Sequence, residues 1–131
     1  MTQKQVMNQR DEILFGEPYD EDKYRHGGIR RFENLDLHGL HALLDLGAAE
    51  KKERQNRGPT IQKIASFLSL PGMDMFRAAG YAVCASRCDG RVTLDAVYAD
   101  EPVDNERKAL FAKFACRADE FELDPPYAWW D

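Results

Sequence analysis

The segment that most constrains the fold is 81–98, YAVCASRCDGRVTLDAVY, which predicts an antiparallel β-hairpin. Asp89 and Gly90 tolerate the positive φ that a two-residue type I′ turn requires, so they are predicted to form its corner. That turn places Tyr81 opposite Tyr98. One face of the ribbon then collects Tyr81, Val83, Ala85, Val92, Leu94, Ala96 and Tyr98. Because a two-stranded ribbon is marginally stable alone, this face must pack against helices or a further strand.

The segments around the hairpin show helical periodicity. Apolar residues recur at three- and four-residue steps and follow capping residues, which predicts helices at about 36–46, 60–70 and 103–117. An alternating stretch at 120–124 predicts a short third strand. The predicted fold class is therefore α+β, with an antiparallel hairpin at about 80–99 packed against these helices.

The domain organisation follows from length and from a change in composition along the chain. A chain of 131 residues suits one domain. Residues 1–33 are polar and interrupted by glycine and proline, so we predict an N-terminal arm or short helix with irregular chain. Residues 34–131 are predicted to form a single α+β domain.

Charge and cysteine content limit the classes of partner and compartment. The net charge is −5, and residues 59–131 contain 12 acidic and 8 basic side chains, which disfavours binding to nucleic-acid phosphates. Three cysteines with only one close pair indicate a reducing compartment, so we expect a cytoplasmic protein. No apolar run approaches the length of a membrane span, and the first residues lead into no signal-peptide core.

Metal binding and catalysis have little support in the sequence. His38 and His41 are three residues apart on a predicted helix and are weak metal candidates, because no second ligand pair of similar spacing exists. The sequence contains no nucleophile elbow and no glycine-rich phosphate loop. We therefore predict a non-enzymatic protein with no catalytic residue and no cofactor.

The end of the chain contains the candidates for partner binding. Its carboxylates are Asp119, Glu120, Glu122 and Asp124, and its aromatic residues are Tyr127, Trp129 and Trp130. An acidic surface suits a basic protein partner, because opposite potentials steer the encounter. Tyrosine and tryptophan are enriched among the residues that dominate binding energy. The alternative is that the aromatic side chains only fix the end of the chain to the core.

Two other functions remain open. Residues 60–79 have the sequence pattern of a helix–turn–helix. With the hairpin as a wing, residues 36–99 would form a winged-helix-like DNA-binding regulator. The recognition helix at 73–79 would offer only one basic side chain, Arg77, which disfavours this hypothesis. The third hypothesis is a small enzyme that uses His38, His41 and distant carboxylates.

Several short segments resemble a known group of proteins. The segments are Gly80-Tyr81-Ala82-Val83, Arg91-Val92-Thr93-Leu94, Ala118-Asp119-Glu120-Phe121 and Ala128-Trp129-Trp130-Asp131, with a weaker match at Gln55-Asn56 and Pro59-Thr60-Ile61. They resemble an uncharacterised family of small proteins encoded on bacterial mobile genetic elements. The family has no known activity, so the resemblance implies a setting and no functional residue. We expect a small acidic binding protein that inhibits or modulates a host or defence protein that handles nucleic acid.

Overall fold

The computed structural model describes residues 1–25, 28–87 and 90–131. Within them the chain forms an α+β fold, which confirms the predicted class. The α-helices are α1 (Gln3–Phe15), α2 (Leu37–Leu46), α3 (Ile61–Leu68) and α4 (Asn105–Phe114). The strands are β1 (Ile29–Leu35), β2 (Phe76–Val83), β3 (Val92–Ala99), β4 (Glu120–Leu123) and β5 (Pro126–Trp129). None of these helices combines the length and apolar character needed to cross a membrane.

The strands form one antiparallel sheet in the order β1-β2-β3-β5-β4. The long strands β2 and β3 lie at its centre, and β1 and β4 form its two edges. The hairpin of β4 and β5 returns beside β3, so the end of the chain extends the central ribbon. The predicted strand at 120–124 is confirmed as β4.

Helices α2, α3 and α4 confirm the predicted helices, and each begins at a side-chain cap. Asp36 accepts the backbone N–H of Gly39 at 2.8 Å, and Thr60 accepts that of Lys63 at 3.2 Å. Asp104 caps α4 in the same way. These bonds satisfy amide groups that the first turn of a helix leaves without a partner, which is why the helices begin at these residues.

The hairpin of β2 and β3 is confirmed, but the predicted register is wrong. Tyr81 lies opposite Thr93 and Tyr98 lies opposite Arg77, rather than opposite each other. The pairing of the described residues extends to Ala82 opposite Val92, so more residues separate the two strands than a two-residue turn would contain. Gly90 does adopt a positive φ of 69°, whereas the predicted corner residue Asp89 lies outside the described residues.

A β-bulge in the same pair redistributes the residues between the two faces. Ala79 pairs with Ala96 and Gly80 pairs with Leu94, which leaves Asp95 as an additional residue in β3. A bulge reverses the alternation of side chains along its strand. The predicted single face is therefore wrong, because Leu94 belongs to the helix-covered side and Ala96 lies on the other.

The segment at 73–79 is not a helix. It follows a turn at Gly72, where φ is 81°, and from Phe76 onward it forms the first half of β2. This is the segment on which the winged-helix hypothesis placed its recognition helix. The structure therefore corrects that expectation, and the hypothesis loses the element that would enter a DNA groove.

The core lies between one face of the sheet and the helices. Its largest buried side chains include Phe32, Leu40, Leu43, Ile61, Ile64, Phe67, Phe76, Val97, Phe111 and Trp130. Phenylalanine rings from α3, β2 and α4 pack at its centre: Phe67 and Phe76 meet edge to face with centroids 5.1 Å apart, and Phe76 and Phe111 stack with centroids 5.4 Å apart. Offset and edge contacts of this kind stabilise aromatic clusters beyond their buried area.

The segment 1–33 contains α1 and the first part of β1. Helix α1 packs against α2 and β1, and Met7 is buried on its inner side. Strand β1 pairs with β2 from Ile29 to Leu35, across the expected domain boundary between residues 33 and 34.

Candidate protein-interaction surface

The sheet has a second face, opposite the helix-packed core, that displays a row of aromatic side chains. The rings are those of Tyr81, Tyr98, Tyr127 and Trp129, each only partly buried, and together they define the aromatic face. Alternation along the strands places them on one side, because Tyr98 pairs with Tyr127 and Ala96 pairs with Trp129. The prediction that Tyr81 and Tyr98 share a face is confirmed, although their pairing is not the predicted one.

Alanine residues form the floor between the rings. Ala79 and Ala96 pair across β2 and β3, and their exposed fractions are only 2% and 1%. Since almost none of their surface is exposed, neighbouring side chains on this face cover them. The aromatic face therefore presents partly exposed rings beside buried alanine residues.

Arg31 holds the β1 side of the aromatic face in a fixed position. Its guanidinium carbon lies 4.9 Å from the ring centroid of Tyr81, a cation–π contact. One guanidinium nitrogen, Nη1, donates to both carboxylate oxygens of Asp95 at 2.6 and 2.8 Å. Asp95 is 97% buried, so its charge is offset by Arg31 and the bulge residue itself anchors the face.

Tyr98 is also fixed in position. Its hydroxyl donates to Oδ1 of Asn34 at 3.0 Å and accepts the backbone N–H of the same residue at 2.9 Å. Asn34 adopts a φ of 63° at the irregular end of β1, a conformation that asparagine tolerates better than most residues. These two hydrogen bonds thus fix the position of the Tyr98 ring in the unbound protein.

Carboxylates line the β4 edge of the aromatic face. Glu120 lies opposite Trp129 and Glu122 lies opposite Tyr127, and both side chains are exposed. Neither forms an ion pair with any residue that the structure describes. Burial raises the pKa of Tyr127, and the nearby charge of Glu120 raises it further, so its hydroxyl stays neutral and able to donate.

The remaining predicted carboxylates have structural partners. Oδ2 of Asp119 accepts the backbone N–H of Asp131 at 2.8 Å. Asp124 pairs with Lys108 of α4 at 2.7 Å. Of the four candidate carboxylates, Glu120 and Glu122 are therefore the pair that the structure places beside the aromatic rings without a partner of their own.

The terminal aromatic residues divide between the two sides of the sheet. Trp130 is only 3% exposed, and its ring packs edge-on against Phe114 with centroids 5.8 Å apart. It belongs to the core and offers no surface for a partner. Tyr127 and Trp129 lie on the opposite side, where they join Tyr81 and Tyr98.

The two candidate metal-binding histidines do not converge. His41 lines a cleft between α2 and α3, whereas His38 lines a different cleft that includes Asp36 and Asp74. Among the residues that the structure describes, no group of three or more histidine, cysteine, aspartate or glutamate side chains is placed to hold a metal ion.

Searches of protein-family models, curated proteins and solved structures found no significant match to this chain. The aromatic face combines large, partly exposed aromatic side chains with two carboxylates that form no ion pair with any described residue.

Proposed function

We propose that this chain is a small, acidic, non-enzymatic binding protein that docks a basic protein partner on its aromatic face. The observation that supports the proposal most directly is the row of partly exposed rings beside Glu120 and Glu122. Interface centres are enriched in tyrosine and tryptophan, and their rims are polar. The aromatic face has both features on one rigid sheet.

The aromatic face is suited to binding because its side chains lose little conformational entropy when a partner binds. Tyrosine and tryptophan have only two side-chain torsions, so they provide contact area at a small entropic cost. Tyr98 is held by Asn34, and Arg31 is held by Asp95. The hydroxyls of Tyr81 and Tyr127 form no hydrogen bond within the described residues, which leaves them available to donate to a partner.

Charge is distributed unevenly across the aromatic face and would fix the orientation of a partner. Glu120 and Glu122 make the β4 edge negative, whereas Lys23 and Arg25 line a cleft beside Tyr81 at the β1 edge. Basic side chains of a partner would therefore settle over β4. The same carboxylates and the net charge of −5 disfavour a bound phosphate backbone.

The proposed role is inhibition or modulation of a host or defence protein that handles nucleic acid. Such proteins present basic surfaces, and an acidic protein that covers one competes with nucleic acid for it. The resemblance to proteins of bacterial mobile elements supports this setting. The described cysteines Cys84 and Cys116 are free thiols, which agrees with action in the reducing cytoplasm.

The test is the measured affinity of a purified, identified partner. Recovery of a protein together with this chain is only its first step. A protein recovered with the full-length chain would be purified, and its affinity measured for wild type, Trp129→Ala and Tyr127→Ala. We expect each substitution to weaken binding by at least about 30-fold, equivalent to about 2 kcal/mol, because each removes a central anchor. Leu110→Ala is the matched control, since Leu110 is 39% exposed on α4, away from the aromatic face.

Two outcomes would contradict the proposal. One is equal affinity for wild type and both aromatic variants, which would place the contact elsewhere. The other is a partner that prefers Glu120→Lys/Glu122→Lys over wild type, because a basic partner should be repelled by that double variant. Glu101→Lys/Glu106→Lys supplies the same charge change at exposed positions outside the aromatic face.

A further inference from the structure

A second surface, separate from the aromatic face, is a cleft of about 570 Å³ where the loop between α2 and α3 meets the ends of α4 and β5. Its lining residues are Arg54, Asn56, Arg57, Arg117, Asp119 and Asp131. The cleft thus brings together three arginines from two distant parts of an acidic chain. The proposed protein-binding role does not use any of them.

The backbone around the cleft is fixed by direct contacts. Nδ2 of Asn56 donates to the carbonyl oxygen of Asp131 at 2.6 Å, and the N–H of Asp131 donates to Asp119 at 2.8 Å. Gly58 is buried against Trp130, where a Cβ atom at position 58 would lie 3.1 Å from the Cβ of the tryptophan. These contacts tie the arginine-bearing loop to the core, so the cleft exists before any ligand binds.

The arginines of the cleft lack the partners that most arginines of this chain have. Arg30, Arg31 and Arg107 each pair with a carboxylate at another position. Arg54, Arg57 and Arg117 form no ion pair or side-chain hydrogen bond with any residue in the described parts of the chain. One oxygen of Asp119 is already occupied by a backbone amide. The three guanidinium groups therefore keep N–H donors that no described residue occupies, which favours an anion.

We propose that this cleft binds an oxyanion of the phosphate class, either free or as the phosphate group of a larger molecule. Guanidinium groups present planar pairs of N–H donors that match the oxygens of phosphate, and charge-assisted bonds of this kind are the stronger ones. A concave site concentrates the positive potential. A ligand with two linked phosphates would engage more of the arginines at once than a single phosphate.

The test is a titration of the full-length chain with inorganic phosphate and with pyrophosphate at low ionic strength, followed by NMR chemical shifts. We expect shifts centred on residues 54–57 and 117, with tighter binding of pyrophosphate. Arg57→Gln and Arg117→Gln should each weaken binding by about five-fold, because each removes one charged donor pair. Lys113→Gln, on the exposed side of α4, is the matched control and should leave the affinity unchanged.

Asp119→Asn separates a binding site from a general effect on folding. The amide oxygen of asparagine can still accept the N–H of Asp131, while the negative charge beside the ligand is lost, so this variant should bind pyrophosphate more tightly. Tighter binding cannot result from partial unfolding of the cleft. If Asp119→Asn bound pyrophosphate no more tightly than wild type, the proposed position of the anion would be wrong.

Other results would also overturn the proposal. These are the absence of localised shifts at about 10 mM of either anion, or equal weakening by Arg57→Gln and Lys113→Gln, which would indicate nonspecific attraction. Equal affinities for phosphate and pyrophosphate would contradict the proposed contact with several arginines at once. Trp129→Ala should leave anion binding unchanged, because Trp129 does not line the cleft. A negative result in the anion titration would therefore leave the proposed protein-binding role as it stands.

Discussion

Arg10 is a fully buried charged residue that joins the first helix to the central hairpin. Its Nη1 donates to the carbonyl oxygens of Val83 at 2.6 Å and Gly90 at 2.5 Å. Its Nε pairs with Asp11 at 2.7 Å, and the hydroxyl of Tyr24 donates to the same carboxylate at 2.6 Å. Burial raises the pKa of Tyr24, which keeps that hydroxyl protonated as a donor. The network satisfies every charge that α1 buries.

Arg10→Met should destabilise the protein by about 3–5 kcal/mol, because it leaves the buried carboxylate of Asp11 without its cation. Urea unfolding at pH 7 measures the loss, with Arg25→Gln as an exposed control. The double variant Arg10→Met/Asp11→Asn should recover part of the stability, since the uncompensated charge is then gone. A loss below about 1 kcal/mol for Arg10→Met would contradict this account.

At the level of elements, three of the four α-helices could be predicted, and two of the strands could not. Helices α2, α3 and α4 each combine a capping residue with an apolar stripe, and both signals are local in the sequence. Strand β1 has only Phe32 and Leu35 buried, and a bulge between them breaks the alternation that identifies a strand. Strand β5 has four residues and begins with a proline, and its sequence, Pro-Tyr-Ala-Trp, does not alternate between polar and apolar residues.

The hairpin register could not be predicted because residues that are distant in the sequence bond to the chain on both sides of the turn. The backbone N–H of Cys84 donates to the carbonyl of Gly28 at 2.7 Å, and Arg10 binds the carbonyl of Gly90. A turn dipeptide predicts a tight corner only when nothing else holds the chain around it. The sequence also predicts that Tyr81 and Tyr98 share a face. It does not predict that Tyr127 and Trp129 join them there, because that depends on the pairing of β3 with the distant strand β5.

Gly80 is required where β2 and β3 approach each other at the bulge. A Cβ atom at this position would lie 1.9 Å from the carbonyl oxygen of Thr93 and 2.9 Å from the Cα of Leu94. Gly80→Ala should therefore cost about 3 kcal/mol or more in urea unfolding, because backbone atoms must move. Gly47→Ala is the comparison: φ is 81° but nothing lies within 4 Å, so only about 1 kcal/mol of backbone strain is expected. Equal losses for the two variants would contradict the close approach.

The cap of α4 should make part of the stability depend on pH. The backbone N–H of Arg107 bonds to Asp104, and that bond, with the adjacent guanidinium charge, lowers the pKa of the carboxyl below its ordinary value of 3.8. The ionised cap stabilises the folded state above that value, and the contribution is lost as the pH falls through the lowered pKa. In urea unfolding, the stability gap between wild type and Asp104→Ala should be full at pH 7 and should shrink below about pH 4. A gap that is the same at both pH values would contradict this assignment.

For the molecule as a whole, the sheet separates two kinds of surface. Each of the four α-helices contributes side chains to the core cluster or to the layer packed against it, on one side of the sheet. The other side is left to the aromatic face, with Arg31 and Asp95 as its internal ion pair. Since β2 and β3 contribute to both sides, a change in their register would disturb the core and the aromatic face together. The stability of the fold and the geometry of the proposed interface therefore depend on the same strands.

The contacts of α1 and β1 with the central hairpin predict that the chain unfolds as one cooperative unit. Helix α1 is joined to the β2–β3 loop through Arg10, and β1 pairs along most of its length with β2. In native-state hydrogen exchange, amides at 10–15 and 29–32 should therefore open with the same free energy as the central strands, while residues 3–6 fray first. Arg10→Met should remove α1 from this cooperative unit and leave β1 within it. Exchange of the whole segment 1–33 at a lower free energy in the wild-type chain would show instead that it is a loosely attached arm.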